Sequence, residues 1–433
     1  MTSSLYWFRN DLRLHDNLAL TKAVTESDGI QFVFCHPPRH ELSPWGFERQ
    51  GPHRRIFLLQ ALAALRQRLQ SLGHSLIEVH GHPAEVLPEI AASTGVNKLY
   101  CEAIEAPYEQ EETLELSRRG LEVTALWQSS LLDVDALPFE KHHVPDIFTI
   151  FRQSVEQTEI TVPAPLPEPT DWPTCLAGCD IESLSPSELT ETHSPDGPSS
   201  FPYRLPSHRG GETAALAHLR SYLQQCLPHT YKATRNQLMG LDYSSKFSPW
   251  LAQGALSARR IYAELKQFES EHGANEGTYW LWFELLWRDY FRLLHFKYGR
   301  RLYQPAGLMG CEKPRHDPET FDRWRHGETG NTLIDAGMRE LAATGYSSNR
   351  MRQILASYLI HELHCDWRAG AAWFESQLVD YDVYSNQGNW LYIAGLGTDP
   401  RGGRHFNVEK QAKTYDPDGH YEQLWSQAPV RVG

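Results

Sequence analysis

A chain of 433 residues and 49.6 kDa is too long for a single small module and has room for two or three cores. With 41% hydrophobic and 22% charged residues it has an ordinary globular composition, and it holds no unbroken apolar run of bilayer-spanning length. The net charge of −13 divides into −15 over residues 1–200 and +2 over residues 201–433, and nine of the 13 Trp lie in the second part, so a polyanion site is excluded from the first.

The N-terminus, MTSSLYWFRNDLR, carries charge inside its first apolar patch and is no secretory signal. Short β-like runs follow at 5–8, 30–34, 75–80, 98–101 and 121–126, and between them residues 54–72 carry Ile56, Leu59, Leu62, Ala63, Leu65 and Leu69 at helical spacing up to Gly73. Alternating strands and helices predict an α/β domain, a doubly wound parallel sheet, over residues 1–135. The loop after the first strand, RNDLRLHDN, has no glycine and so lacks the usual pyrophosphate cradle of a nicotinamide domain.

Residues 136–206 read as an interdomain connector, and its part 161–206 holds ten of the 27 prolines, which favours extended chain. Cys175 and Cys179 lie there without a second pair, so zinc is not expected, nor is any other metal. The remaining cysteines, Cys35, Cys101, Cys226, Cys311 and Cys365, bring the total to an odd and scattered seven, the usage of a reducing cytoplasm. From Gly210 the 3.6-residue period takes over in five segments stopped by glycines, which predicts a mostly α-helical domain over 207–433.

In that half, Trp280, Glu284, Trp287, Arg288 and Phe291 share one helix face. Such a face is either a buried ion pair beneath an aromatic core or the wall of a cavity for a flat ligand. Asn349 and Gln353, one turn apart beside Arg350, offer paired donors and acceptors for a base-like edge, although a helix-start Asn also serves as a cap. Asp380 and Asp382 are metal ligands, acid–base groups or plain loop acids, with no third carboxylate at an EF-hand position. HELH at 361–364 is one residue short of the zincin spacing, and YSSKFS at 243–248 is a hydroxyl-rich turn able to hold a diphosphate or to be only a turn.

Together, LYWFRNDLRLHDN, WFELLWRDYFR, TGYSSNRMRQILASYL and DWRAGAAWFESQLVDYDVYSNQGNWLYIAG resemble the photolyase/cryptochrome flavoproteins, and the tail from GNWLYIAGLGTDPRGG onward is similar to DASH-type cryptochromes. The resemblance implies an antenna domain followed by a helical domain holding FAD. It assigns Tyr231 and the turn Ser244, Ser245, Lys246, Phe247 and Ser248 to the diphosphate, Trp280 and Arg288 to the cavity walls with Asn349 beside them, Asp380 paired with Arg352 near the isoalloxazine, and Asp382 to its pyrimidine edge. Asn386 matches the residue facing flavin N5, where a neutral amide lets a reduced, anionic flavin persist.

On the substrate side the resemblance places Glu284 on the damaged bases, Trp287 and Tyr392 as opposite walls for a flipped dimer, Gln353 where DNA photolyases have Met, and Asn349 and Arg350 nearby. The more polar pocket implies repair of cyclobutane pyrimidine dimers chiefly in single-stranded DNA, with RNA as a related partner, by a monomer that does not bind membranes. Trp390 and Trp367 match the proximal and middle members of an electron relay, whereas the distal position is Pro314, so that Trp373, Tyr346 or Tyr381 would have to substitute. The antenna is expected to be methenyltetrahydrofolate, with Glu105 at its pteridine. The alternative function is a blue-light receptor, disfavoured by the eight residues after Trp425, too few for a long signalling tail. Repair of (6-4) photoproducts is disfavoured by Asn349 in place of a His acid.

Overall fold

The computed structural model describes residues 2–38, 40–176, 183–184, 198–310 and 314–426, so Cys179 and Cys311 lie outside the described residues. Strands β1 (Ser3–Phe8), β2 (Gly29–His36), β3 (Leu76–His80), β4 (Lys98–Glu102) and β5 (Glu122–Leu126) form a parallel sheet in the order β3-β2-β1-β4-β5, and β6 (Thr174–Cys175) pairs with the start of β2. The central strands are apolar on both faces because helices cover both. Those helices begin where their sequences dictate. Asn17 caps Leu18–Glu26 through the Leu20 amide, while Pro52, Pro83 and Pro107 each open a helix at the position where a missing N–H costs nothing.

Strand order reverses at β1, which opens a crevice at the carboxyl ends of the strands. In place of a glycine cradle, the loop after β1 is tied by Asp11, whose carboxylate accepts from the Arg9 amide, the Tyr6 hydroxyl and the Gln128 amide. A cavity of about 520 Å³ lies here, lined by Trp7, Arg9, Cys35, His36, Arg49 and Arg54 among others.

Within 136–206 the chain is more than a spacer. Phe148–Gln157 is a helix whose Phe148, Phe151 and Val155 are buried in the core of the helical half. The spine of that half is Glu276–Tyr298, started by a capping box between Asn275 and Thr278. The two halves are stitched by backbone contacts. Asp289 on the spine accepts from the Leu131 and Leu132 amides, the Leu12 amide donates to Gln253 O, and Arg13 donates to Gly254 O. Gly254 sits at φ +66°, and a Cβ there would overlap the carbonyl of Asn10.

The helix that Asn349 begins is α-helical over Asn349–Ser357 and continues as a π-turn, Tyr358–Glu362. Two HELH side chains are spent on the protein: His361 Nε2 lies 3.1 Å from Ile393 O, and Glu362 pairs with His405. No helix among the described residues is long and apolar enough to cross a membrane.

Candidate cofactor and substrate site

One cavity of the helical half is lined by Asn349, Arg352, Gln353, Asp380, Asp382, Asn386 and Trp390. Its polar side is built by two helix starts. Ser348, not Asn349, caps Asn349–Ser357 by accepting from the Met351 amide, so Asn349 and Gln353 are left to face the cavity. Asp382 caps Val383–Ala394 through the Ser385 amide at 2.8 Å, and its other oxygen accepts from Arg292 at 3.1 Å. Burial alone would raise the Asp382 pKa, but Arg292 and Arg288 bring it below the ordinary value, so the carboxylate stays charged.

Asp380 Oδ2 accepts from Ser248 Oγ at 2.7 Å and from Arg352 at 2.9 Å, while its buried Oδ1 has no partner. An orphaned buried carboxylate oxygen facing a polar cavity fits an N–H or O–H donor of a ligand. Asn386 is fixed by its Nδ2 donating to Ala371 O at 3.0 Å. Trp390 closes the apolar end, packed on Gly370, where any Cβ would overlap its indole.

The turn 244–248 holds two non-glycine residues in the left-handed region, Ser244 at φ +58° and Lys246 at φ +57°. It is anchored by Phe247, packed against the rings of Tyr222 and His218, and Tyr231 is buried in the same apolar cluster. Ser245 O lies 2.9 Å from His218 Nε2. Lys246 departs from the expectation that it contacts a diphosphate. Its Nζ lies 3.1 Å from the Tyr243 ring centre, buried and without a hydrogen-bond acceptor, and burial pulls its pKa well below the ordinary value. Any anion held by this turn is held by its backbone and hydroxyls.

Trp280 and Arg288 also depart from expectation, since neither lines this cavity. Trp280 stacks on Phe283 at 4.8 Å under Lys232 and Arg235. Arg288 donates to Ser129 O at 2.5 Å and weakly to Leu251 O at the junction of the two halves, and burial lowers its pKa to about 10. Carbonyls there satisfy a guanidinium that has no carboxylate directly bonded to it. Arg350 turns the other way, to Asn236 Oδ1 at 3.1 Å and over the ring of Tyr415.

Glu284 is in an ion pair with Arg235, 2.5 Å, and keeps 29% of its side chain accessible. Desolvation nevertheless outweighs Arg235 and raises its pKa above the ordinary value. Trp287 and Tyr392 are not separated walls. Their rings meet edge to face at 5.5 Å, and the other side of Trp287 stacks on Phe148 at 3.6 Å. Arg404 lies over Tyr392, donates to its hydroxyl at 3.1 Å, and is itself held by Asp399 at 2.8 Å.

Trp367 is buried, with its indole N–H on Pro305 O at 3.0 Å. Of the expected substitutes for a distal ring, Trp373 packs on Phe47, Tyr346 lies on Phe201, and Tyr381 lies beneath Arg54. Glu105 is absent from the lining of the 520 Å³ cavity, and its carboxylate accepts from Gln110. Sequence reasoning missed Arg235, Arg292 and Arg404. Arg235 lies one helical turn after Tyr231, and Arg292 one turn after Arg288 inside the motif WFELLWRDYFR, local signals that could have found both.

The sequence matches two families, described as DNA photolyase over residues 4–170 and FAD binding domain of DNA photolyase over residues 280–428. It is 43% identical to cryptochrome DASH of Gloeobacter violaceus, covering 97% of this chain and 85% of that protein. It is also 43% identical to cryptochrome DASH of Xenopus laevis, covering 96% and 81%. The fold superposes on a crystal structure of Synechocystis cryptochrome with a TM-score of 0.92 at 41% identity, covering 98% and 88% of the two chains. A class III photolyase from Agrobacterium tumefaciens gives a TM-score of 0.80 at 28% identity, covering 98% and 86%. An FAD-binding domain on this scaffold defines a flavoprotein. The chain belongs to the photolyase/cryptochrome family, on its DASH-type cryptochrome branch.

Proposed function

We propose that the chain repairs cyclobutane pyrimidine dimers under blue light, chiefly in single-stranded DNA. Bound FAD supplies the chemistry, an electron delivered from its light-excited reduced form to the dimer. The observation that carries the reading is the cavity where Asp380, with one oxygen paired and one free, faces Asn386 and Trp390. Arg352 and Asp380 orient the ring system, Asp382 holds its charge beside Arg292, and the turn 244–248 offers backbone N–H groups to the diphosphate.

Glu284 donates to or accepts from the damaged bases after exchanging Arg235 for them. Trp287 and Tyr392 part to admit the dimer, a rearrangement favoured by a strand whose bases are already unstacked. The same unstacking admits RNA. The antenna, with methenyltetrahydrofolate as our candidate, occupies the 520 Å³ cavity beside β1 and β2.

The test is dimer loss under blue light from one oligonucleotide presented single-stranded and as duplex. Preferential loss from the single strand supports the proposal. Equal loss from both overturns the strand preference. No loss from either, with the flavin fully reduced, overturns repair and leaves the receptor reading, which predicts a light-dependent change in a bound protein.

A further inference from the structure

Asp382, at the polar side of the cofactor cavity, shares its arginines with a second buried acid, Glu102, from the α/β half. Arg292 donates to Asp382 Oδ2 at 3.1 Å, and its own buried Nε has no acceptor. Glu102 ends β4, is buried, and has no donor on its Oε2. Its Oε1 accepts from the Ser129 hydroxyl, and the Ser129 carbonyl accepts in turn from Arg288 at 2.5 Å. The Glu102 carboxylate is therefore tied to both guanidiniums that keep Asp382 charged, to Arg288 through Ser129 and to Arg292 by charge.

The groups that face Glu102 come from four elements. Tyr6, Arg9, Asp11 and Arg13 belong to β1 and the loop after it, and Cys101 precedes Glu102 on β4. Arg288 and Arg292 stand on the spine helix, and Tyr384 on Val383–Ala394. Asp11 opposes ionisation of Glu102 most, and Arg292 favours it most. Burial together with Asp11 outweighs the arginines and lifts the pKa to about 7. Arg288 and Arg292 are already matched one for one by Asp382 and Asp289, so an ionised Glu102 is the surplus charge of the cluster. A surplus charge in a buried cluster is costly, and a proton on Glu102 removes it.

We infer that Glu102 is a redox-linked proton acceptor, which binds one proton when the cofactor in the adjoining cavity gains negative charge. The inference rests on the FAD reading of the cavity. A soluble two-electron reductant converts bound FAD to its anionic reduced form, which has gained two electrons and one proton and is one unit more negative. That charge, placed beside Asp382, competes with Glu102 for Arg292 and Arg288. Glu102 then binds one proton from the buffer, so the loaded protein takes up two protons per two electrons instead of one. Once neutral, Glu102 leaves both guanidiniums to Asp382 and the reduced cofactor, which favours the anionic form.

The test uses the FAD-loaded protein beside its Glu102→Gln variant, which keeps an oxygen for the Ser129 hydroxyl. The flavin couple is titrated against reference dyes across neutral and mildly alkaline pH, and reduced-minus-oxidised infrared difference spectra are recorded in the same range. A new negative charge should lift the pH midpoint of Glu102 by on the order of one unit. Between about pH 7 and about pH 8 the parent should therefore take up two protons per two electrons, and the variant one. Reduction of the parent in that window should add the carbonyl band of a protonated carboxylic acid, shifted in heavy water, and the variant should lack it. Equal proton counts in parent and variant, or the same new band in both, overturns the inference. Should the variant fail to fold, the parent decides alone: a new carboxylic-acid band supports the inference and its absence overturns it. A preparation with no blue absorbance before reduction, even after reconstitution with FAD, overturns the FAD reading instead, so the two failures are distinguishable.

Discussion

The ring of Tyr392 stands edge-on to the indole of Trp287, centroids 5.5 Å apart and planes at 81°. A base stacked between them needs roughly 3.5 Å on each side, about 7 Å in all, so the slot is shut until one ring turns. Tyr392 is held shut by Arg404, and Arg404 by Asp399. Tyr392→Phe removes the acceptor for Arg404 and keeps the ring. Loss of one such hydrogen bond is worth about 1 kcal/mol, so affinity for a dimer-containing single strand should rise about fivefold. Fluorescence anisotropy measures it, and unchanged or weaker binding counts against Arg404 as the group that holds the ring.

Glu284 faces a choice between Arg235 and the substrate. Glu284→Gln should leave flavin uptake intact but lower the yield of dimer splitting per absorbed photon on the order of tenfold, because a carboxyl that stabilises the electron-loaded dimer is lost. Quantum yield on a defined oligonucleotide is the measurement.

Asp380→Asn leaves the Arg352 guanidinium without its carboxylate. Breaking a buried ion pair from one side costs about 3–5 kcal/mol. The variant should purify with much less FAD, read as the ratio of blue absorbance to protein absorbance. Full occupancy in the variant would contradict the assignment of Asp380 to the cofactor.

Burial lifts the pKa of Glu340 from 4.5 to about 7, against the hydrogen bond that Tyr421 donates to it. The folded chain thus holds this proton more tightly than the unfolded chain, and the resulting stability is full below pH 4.5 and lost as pH rises through about 7. Its size is at most about 3 kcal/mol. Glu340→Gln should therefore raise Tm relative to the parent near pH 8 and flatten its fall from about pH 5, as followed by thermal melts across that range.

The strands were legible because each is a short apolar run bounded by turn residues, and the predicted 98–101 and 121–126 fall within a residue or two of Lys98–Glu102 and Glu122–Leu126. Spacing paired Asn349 with Gln353 and Asp380 with Asp382, the family resemblance alone grouped these with Asn386 and Trp390, and all six line one cavity. What stayed illegible is tertiary. Phe148 comes from a segment read as connector, yet it covers a face of Trp287. No local pattern foretells that Arg404 holds Tyr392, or that Glu102 and Asp382, far apart in the chain, share Arg292. Lys246 followed burial, which outcompeted the charge its position in a polar turn had implied.

Gly254 admits no side chain where the helical half meets the loop after β1. With Arg13 on its carbonyl and Leu12 on Gln253, this joint leaves no slack for a hinge. Heat therefore finds no weaker half to melt first. The molecule should lose sheet and bundle in one cooperative step, and a methyl group at Gly254 should split that step in two.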